Sequence, residues 1–356
     1  MPPPPEATPP GPAPPSTRGR GRWLVLLQLG VAVGLLAWVL RSPAARAAFA
    51  AGLRSAEPAW LLAGLGLGGV WLLTCARRWQ LYLRLNRLDL PLHRVFRVYA
   101  AGQFFELFLP GSLSGDAVRW LYASRLPATA TAEAQRSARA DAARALLMDH
   151  FSGLLAAAAL ATALVVFRWR WFAQSPVGIA GLVFLLGFFG FCVGGLALTW
   201  VADRRGWTRR HLPAWLPGRD ALLGAAAATG HFVRAWRTAL RGAALSGVSL
   251  LSYYLGFWCA ARAYAADVLA VEVVSVMPVV DTVSSLPISI AGLGVRETVF
   301  ERFLGDLAGV PAGTAVLISL TGFSFTLAWS LLGGLLWPTL GRRASNAEAE
   351  PNPRTA

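Results

Sequence analysis

The chain has 356 residues, of which 55% are hydrophobic and 14% charged, well under the roughly 25% charge of an ordinary soluble domain. Its formal charge of +15 rests on 33 basic residues, all of them arginine. That composition excludes a soluble enzyme, and arginines set beside apolar runs, not gathered on one aromatic-studded polar face, exclude a nucleic-acid binder.

Taken from the N-terminus, residues 1–22 are dominated by proline and arginine and carry almost no large apolar side chain. They are expected to form a disordered cytoplasmic tail. An integral membrane domain over 23–340 follows, built on six apolar runs: Trp23–Leu40, Trp60–Cys75, Ala145–Phe167, Val177–Val201, Ala243–Ala261 and Ala312–Trp337. Crossing the hydrocarbon takes about 20 helical residues, so each run reads as a span. The first follows a basic segment and is longer than a signal-peptide core, which points to an uncleaved helix. Residues 341–356 form a second polar tail. Cys75, Cys192 and Cys259 lie in or at the end of apolar runs with no close-spaced partner, so neither a disulfide nor a metal site is expected.

The arginines set the topology. Segments 77–97, 120–144 and 202–241 are each arginine-rich, the last with eight, and all three belong in the cytoplasm. All three stay inside only if the segment between Val95 and Arg119 enters and leaves on the cytoplasmic side. It is therefore predicted to be a re-entrant hairpin. The same reasoning makes the segment around Leu286–Arg296 a second hairpin, entering from the outside, with both termini cytoplasmic. The expected fold is an all-α polytopic membrane protein of about six full spans plus two broken hairpins.

Both hairpins break at similar words, "LPGSLSGDAVR" (109–119) and "LPISIAGLGVR" (286–296). Opposed copies of one broken helix are the mark of an inverted repeat, whose breaks commonly form a substrate site. Proline removes a backbone N–H and glycine permits a sharp turn, so polar backbone groups open toward a cavity. A helix starting after such a break points its N–H groups at an anion, and an arginine one or two turns on can hold phosphate bidentately. The candidate substrate-binding residues are Pro110, Gly111, Ser112, Gly115, Asp116 and Arg119 in the first break. In the second they are Pro287, Ser289, Gly292, Gly294, Arg296 and Glu297. Glu106 and Asp281, acids in apolar surroundings just before each break, are candidate coupling groups. Glu297 and Glu301, one turn apart, also fit a solvated face, and His150 reads as a residue at the start of a span.

The motifs "FFELFLPGSLSGDAVRWLYASR", "MDHFSGL" and "LPISIAGLGVRE" resemble the flippase-like transmembrane region of the lysylphosphatidylglycerol synthases over roughly Trp23 to Leu340. The family pattern has an Asp-Arg pair where this chain has Asp149 and His150. The resemblance implies a bacterial plasma-membrane protein that translocates lipids or lipid-linked sugars. Two-domain relatives carry a soluble aminoacyl-transfer domain after the membrane region. With a short tail after the last span, lysyl transfer is not expected here.

The leading expectation is a non-enzymatic carrier that flips an anionic lipid or polyprenyl-phosphate-linked headgroup. No cofactor and no nucleic acid are expected, and the cytoplasmic arginine clusters meet anionic headgroups. The sequence has no GxxxxGK[ST] phosphate loop for direct ATP drive. Two alternatives remain at this stage. One is an intramembrane lipid-modifying enzyme using Glu297, Asp281 or His150 as acid or base. The other is a noncatalytic membrane partner of a lipid or glycan synthase.

Overall fold

The computed structural model describes residues 56–108, 114–125, 130–211, 218–285 and 294–349, with a few isolated positions between and before them. Among these residues every regular element is a helix, in the order α1 (Pro58–Leu85), α2 (Leu92–Phe108), α3 (Ser114–Ala123), α4 (Ala132–Phe172), α5 (Pro176–Arg204), α6 (Trp207–His211), α7 (Arg219–Arg234), α8 (Trp236–Ala263), α9 (Ala270–Ser285), α10 (Val295–Ala308) and α11 (Ala312–Ala349). Five of them, α1, α4, α5, α8 and α11, are long and apolar enough to cross a membrane. They contain the second to sixth apolar runs of the sequence. The first run, Trp23–Leu40, lies outside the described residues.

Helix starts follow from local chemistry. Pro58 opens α1 and Pro176 opens α5, each at a first-turn position where the missing N–H costs nothing. The Thr131 and Ser175 hydroxyls cap α4 and α5 by accepting from the N–H groups of Ala134 (3.2 Å) and Gly178 (3.1 Å).

α1 and α8 run antiparallel along their whole length, with Trp60 edge-on to Trp258 (5.3 Å) at one end and Tyr82 against Gly242 at the other. The absence of a side chain at Gly242 leaves room for the Tyr82 ring, an instance of the small residues that membrane helix packing favours. α11 locks onto the pair. Its Trp329 indole donates to the Leu65 carbonyl at 2.8 Å, and its Phe325 fills the space over Gly64.

α2 packs on α3, and α9 packs on α10, giving two helical hairpins. Their arms have 17, 10, 16 and 14 residues, about 25, 15, 24 and 21 Å at 1.5 Å per residue, against a hydrocarbon core of roughly 30 Å. None of the four arms reaches the length of a full span. Each hairpin sits in a separate apolar cluster. The α2–α3 hairpin packs with Leu72, Trp79, Leu83 and Met148, and the α9–α10 hairpin with Tyr254, Phe257, Leu185 and Ile318.

Among the described residues the two hairpins share no substantial interface, and both pack on α11. Ser319 and Phe323 of α11 meet α10, while Gly333, Gly334 and Trp337 meet α2. From Ser319 to Gly333 is a rise of about 21 Å along the helix. The hairpins therefore dock at opposite ends of one spanning helix.

Candidate functional site

The α2–α3 hairpin closes on two glycines. A Cβ on Gly115 would stand 2.6 Å from the Gly102 carbonyl oxygen and 3.0 Å from Glu106, so only glycine permits this approach. The Ser114 hydroxyl donates to the Phe105 carbonyl at 3.0 Å, tying the start of α3 back onto α2. Arg119, one turn further on, is 3% exposed and lies over the ring of Tyr99, 4.5 Å from its centroid.

Three carboxylates surround that guanidinium: Asp116 at 2.6 Å, Glu106 at 3.6 Å and Asp149 at 3.8 Å. Asp149, on α4 and 1% exposed, is itself held by Arg78 of α1 through two parallel hydrogen bonds of 2.6 and 3.0 Å. Arg78 also donates to the Ser246 hydroxyl of α8 at 2.9 Å. On its other side Asp116 meets His150 Nε2 at 2.7 Å, and Gln103 donates to Glu106 at 3.0 Å. The network ties α1, α2, α3, α4 and α8 together. It reaches outward at two points, His150 and Glu106, whose side chains are 54% and 39% exposed.

The second hairpin is built differently. Gly292 and Gly294 have φ of +72° and +83°, a region that favours glycine, and they turn the chain into α10. The Glu297 carboxylate folds back to accept from the Gly294 N–H at 2.6 Å and from the Ser319 hydroxyl at 3.3 Å. It thereby completes one arm of a capping box at the start of α10. Arg296 is buried, with its guanidinium 4.3 Å from the centroid of the Phe323 ring and beside Gly292. Asp281 lies one turn before Ser284 on α9.

The structure thus gathers Glu106, Gly115, Asp116 and Arg119 at one hairpin and Asp281, Gly292, Gly294, Arg296 and Glu297 at the other. Among the described residues Arg119 meets Asp116, Glu106, Asp149 and Tyr99, and Arg296 meets Phe323. Pro110, Gly111, Ser112, Pro287 and Ser289 lie outside the described residues.

Several residues depart from the sequence reading. Arg78 reads as a loop arginine, yet it lies inside α1 and clamps Asp149, a partner 71 positions away that no local pattern reveals. His150 lies within α4, which begins at Ala132, and its ring meets Asp116 of α3. Glu297 is buried and caps a helix, so the solvated face proposed for it is absent. Both breaks place an acid in the first turn of the following helix, Asp116 in α3 and Glu297 in α10. The positive end of each helix therefore already faces a carboxylate of its own.

Comparison with known families resolves the fold's affiliation. Residues 25–334 match the lysylphosphatidylglycerol synthase TM region. The chain belongs to this family. No curated protein matches it. As a lysylphosphatidylglycerol synthase transmembrane region, it carries the expected polytopic helical architecture, and the Asp149-His150 departure falls within its ion network. There His150 meets Asp116, where an arginine would form a permanent pair. Among the described residues no group of His, Cys, Asp and Glu has the arrangement to hold a metal ion.

Proposed function

We propose that this protein binds the anionic headgroup of a lipid, or of a lipid-linked sugar, and carries it across the bacterial plasma membrane, without chemical conversion of the lipid. The observation that carries the reading is the pair of broken hairpins, each holding a buried arginine, Arg119 and Arg296, in the interior of a membrane domain. An ionised side chain there is costly and is retained where it serves a substrate or ion path.

The two arginines contribute unequally. Arg119 has three carboxylates within 4 Å and acts mainly to hold the α2–α3 hairpin on α4. Arg296, whose neighbouring Glu297 is engaged in capping, is the principal cation for a phosphate oxygen. Translocation follows when the hairpins move relative to the α1–α8 pair and expose the headgroup to one side and then the other.

Transport is favoured over acid–base chemistry because the acids named for catalysis are occupied or isolated. Glu297 is spent on a cap, His150 of α4 meets Asp116 of the first hairpin, and Asp281 lies on α9 of the second. A headgroup-accessibility assay in liposomes tests the proposal. Reconstituted protein should equilibrate a labelled anionic phospholipid between leaflets, and Arg296→Gln should slow it at least tenfold. Unchanged leaflet distribution with folded protein, or full activity in Arg296→Gln, would count against it.

A further inference from the structure

The ion network at the first hairpin does not balance its own charge. Arg78 and Arg119 supply two cations, while Asp116, Glu106 and Asp149 supply three carboxylates, joined by contacts of 2.6 to 3.8 Å. His150 completes the set, with its Nε2 2.7 Å from Asp116. A neutral imidazole leaves one negative charge uncompensated, and an imidazolium leaves none. Hydrogen bonds do not absorb the excess, because Arg119 Nε and Nη1 are buried and donate to none of the described residues. An uncompensated charge in the interior of a membrane domain is costly.

The charged groups around His150 come from four helices. α1 brings Arg78, α2 brings Glu106, α3 brings Asp116 and Arg119, and α4 itself brings Asp149. α8 also packs on α4 and meets the set through the Ser246 hydroxyl. α5, α7 and α9 pack on α4 too, but among the described residues Asp203, His231, Arg234 and Asp281 form no ion pair with the set. Residues 109–113 and 126–129 carry no charge. His150 stands about 8 Å past Ala145, where the apolar run of α4 begins. The turns before it hold Arg136, Arg139 and Arg144 and belong in the cytoplasm.

We propose that the first hairpin carries a site for a single proton: His150 takes it from water on the cytoplasmic side, it completes the charge of the network, and the filled site holds α3 on α4. A carboxylate only accepts, so the hydrogen on Nε2 is donated to Asp116 and the added proton enters at Nδ1, which has no hydrogen-bond partner among the described residues. The inference goes beyond the headgroup reading, since it concerns when the first hairpin moves and not what is carried. Asp116 faces the imidazolium only while α3 is docked, so protonation and docking favour each other. Docking is therefore strongest at low pH and weakens as pH rises through the titration of His150, by up to about tenfold per pH unit for one proton.

The test follows backbone hydrogen exchange of α3 in the full chain in lipid nanodiscs, across roughly pH 5 to 9 and corrected for the intrinsic pH dependence of exchange. In the wild type, protection of α3 should rise about tenfold from the high to the low end of that range, while protection of α1 stays level. His150→Arg fills the site permanently and should keep the low-pH protection throughout. His150→Gln keeps a donor but cannot titrate, and should keep the high-pH protection throughout. Glu106→Gln separates charge balance from a local hydrogen bond. Glu106 forms no ion pair with His150, yet its loss leaves two cations facing two carboxylates, balanced without the proton, so the pH dependence should largely disappear. Level protection of α3 in the wild type, or an unchanged pH slope in folded His150→Gln, overturns the proton site. An undiminished slope in folded Glu106→Gln overturns charge balance as its cause.

Discussion

The two hairpins share a motif and differ in how they treat charge. In α2–α3, Arg119 is enclosed by Asp116, Glu106 and Asp149, and the network continues through Arg78 to Ser246, so the hairpin is bolted to three spanning helices. In α9–α10, the one acid close in sequence to Arg296 turns away to cap its helix, and Asp281 stands without a hydrogen bond. Similar words have produced a network of carboxylates around Arg119 at one break and, at the other, an Arg296 packed over the Phe323 ring. The lesson is that an arginine after a glycine-rich break does not by itself define an anion site.

That contrast can be broken by substitution. The largest effect is expected from Asp149→Ala, which leaves Arg78 and Arg119 facing each other in a buried site. Removing one partner of a buried pair costs about 3–5 kcal/mol. Thermal unfolding in detergent should show a large fall in midpoint, larger than that of Arg296→Gln, which should slow translocation. Equal destabilisation by both would erase the distinction between the hairpins.

Glycine substitutions come next. Gly292→Ala forces a side chain into a left-handed conformation, φ +72°, worth about 1–3 kcal/mol of strain, and crowds Ser284 and Arg296. It should weaken headgroup binding more than it lowers stability. Gly115→Ala sets a Cβ 2.6 Å from the Gly102 oxygen and should do the reverse. Smaller still is Glu297→Ala, which removes the α10 cap at about 1 kcal/mol, read as earlier hydrogen exchange in the first turn of that helix. The smallest is His150→Arg, which replaces a titratable contact to Asp116 with a permanent one. It should alter stability by less than about 1 kcal/mol and flatten the dependence of the midpoint on pH near neutrality.

Much of the architecture was legible in the sequence because length and apolarity are local properties. The spans containing Trp60–Cys75, Ala145–Phe167, Val177–Val201, Ala243–Ala261 and Ala312–Trp337 each appear as one long helix. The hairpins announced themselves through Pro110 with Gly111 and through Pro287 with the glycines at 292 and 294. The site was only partly legible. Arg119 and Arg296 could be picked out by their place after the breaks, but their partners could not. Arg78 and Ser246 are 71 and 97 positions from Asp149 in the chain, and only the packing of α1, α4 and α8 brings them together. Charge compensation across helices has no sequence period, and so Arg78 resembled any other arginine at a membrane edge.

Translocation in liposomes, comparing Arg296→Gln with wild type at matched folded protein, bears on the central claim most directly. Wild-type protein should equilibrate a labelled anionic phospholipid between leaflets, and folded Arg296→Gln should do so at least tenfold more slowly. Full translocation by folded Arg296→Gln would contradict the assignment of the second hairpin as the headgroup site.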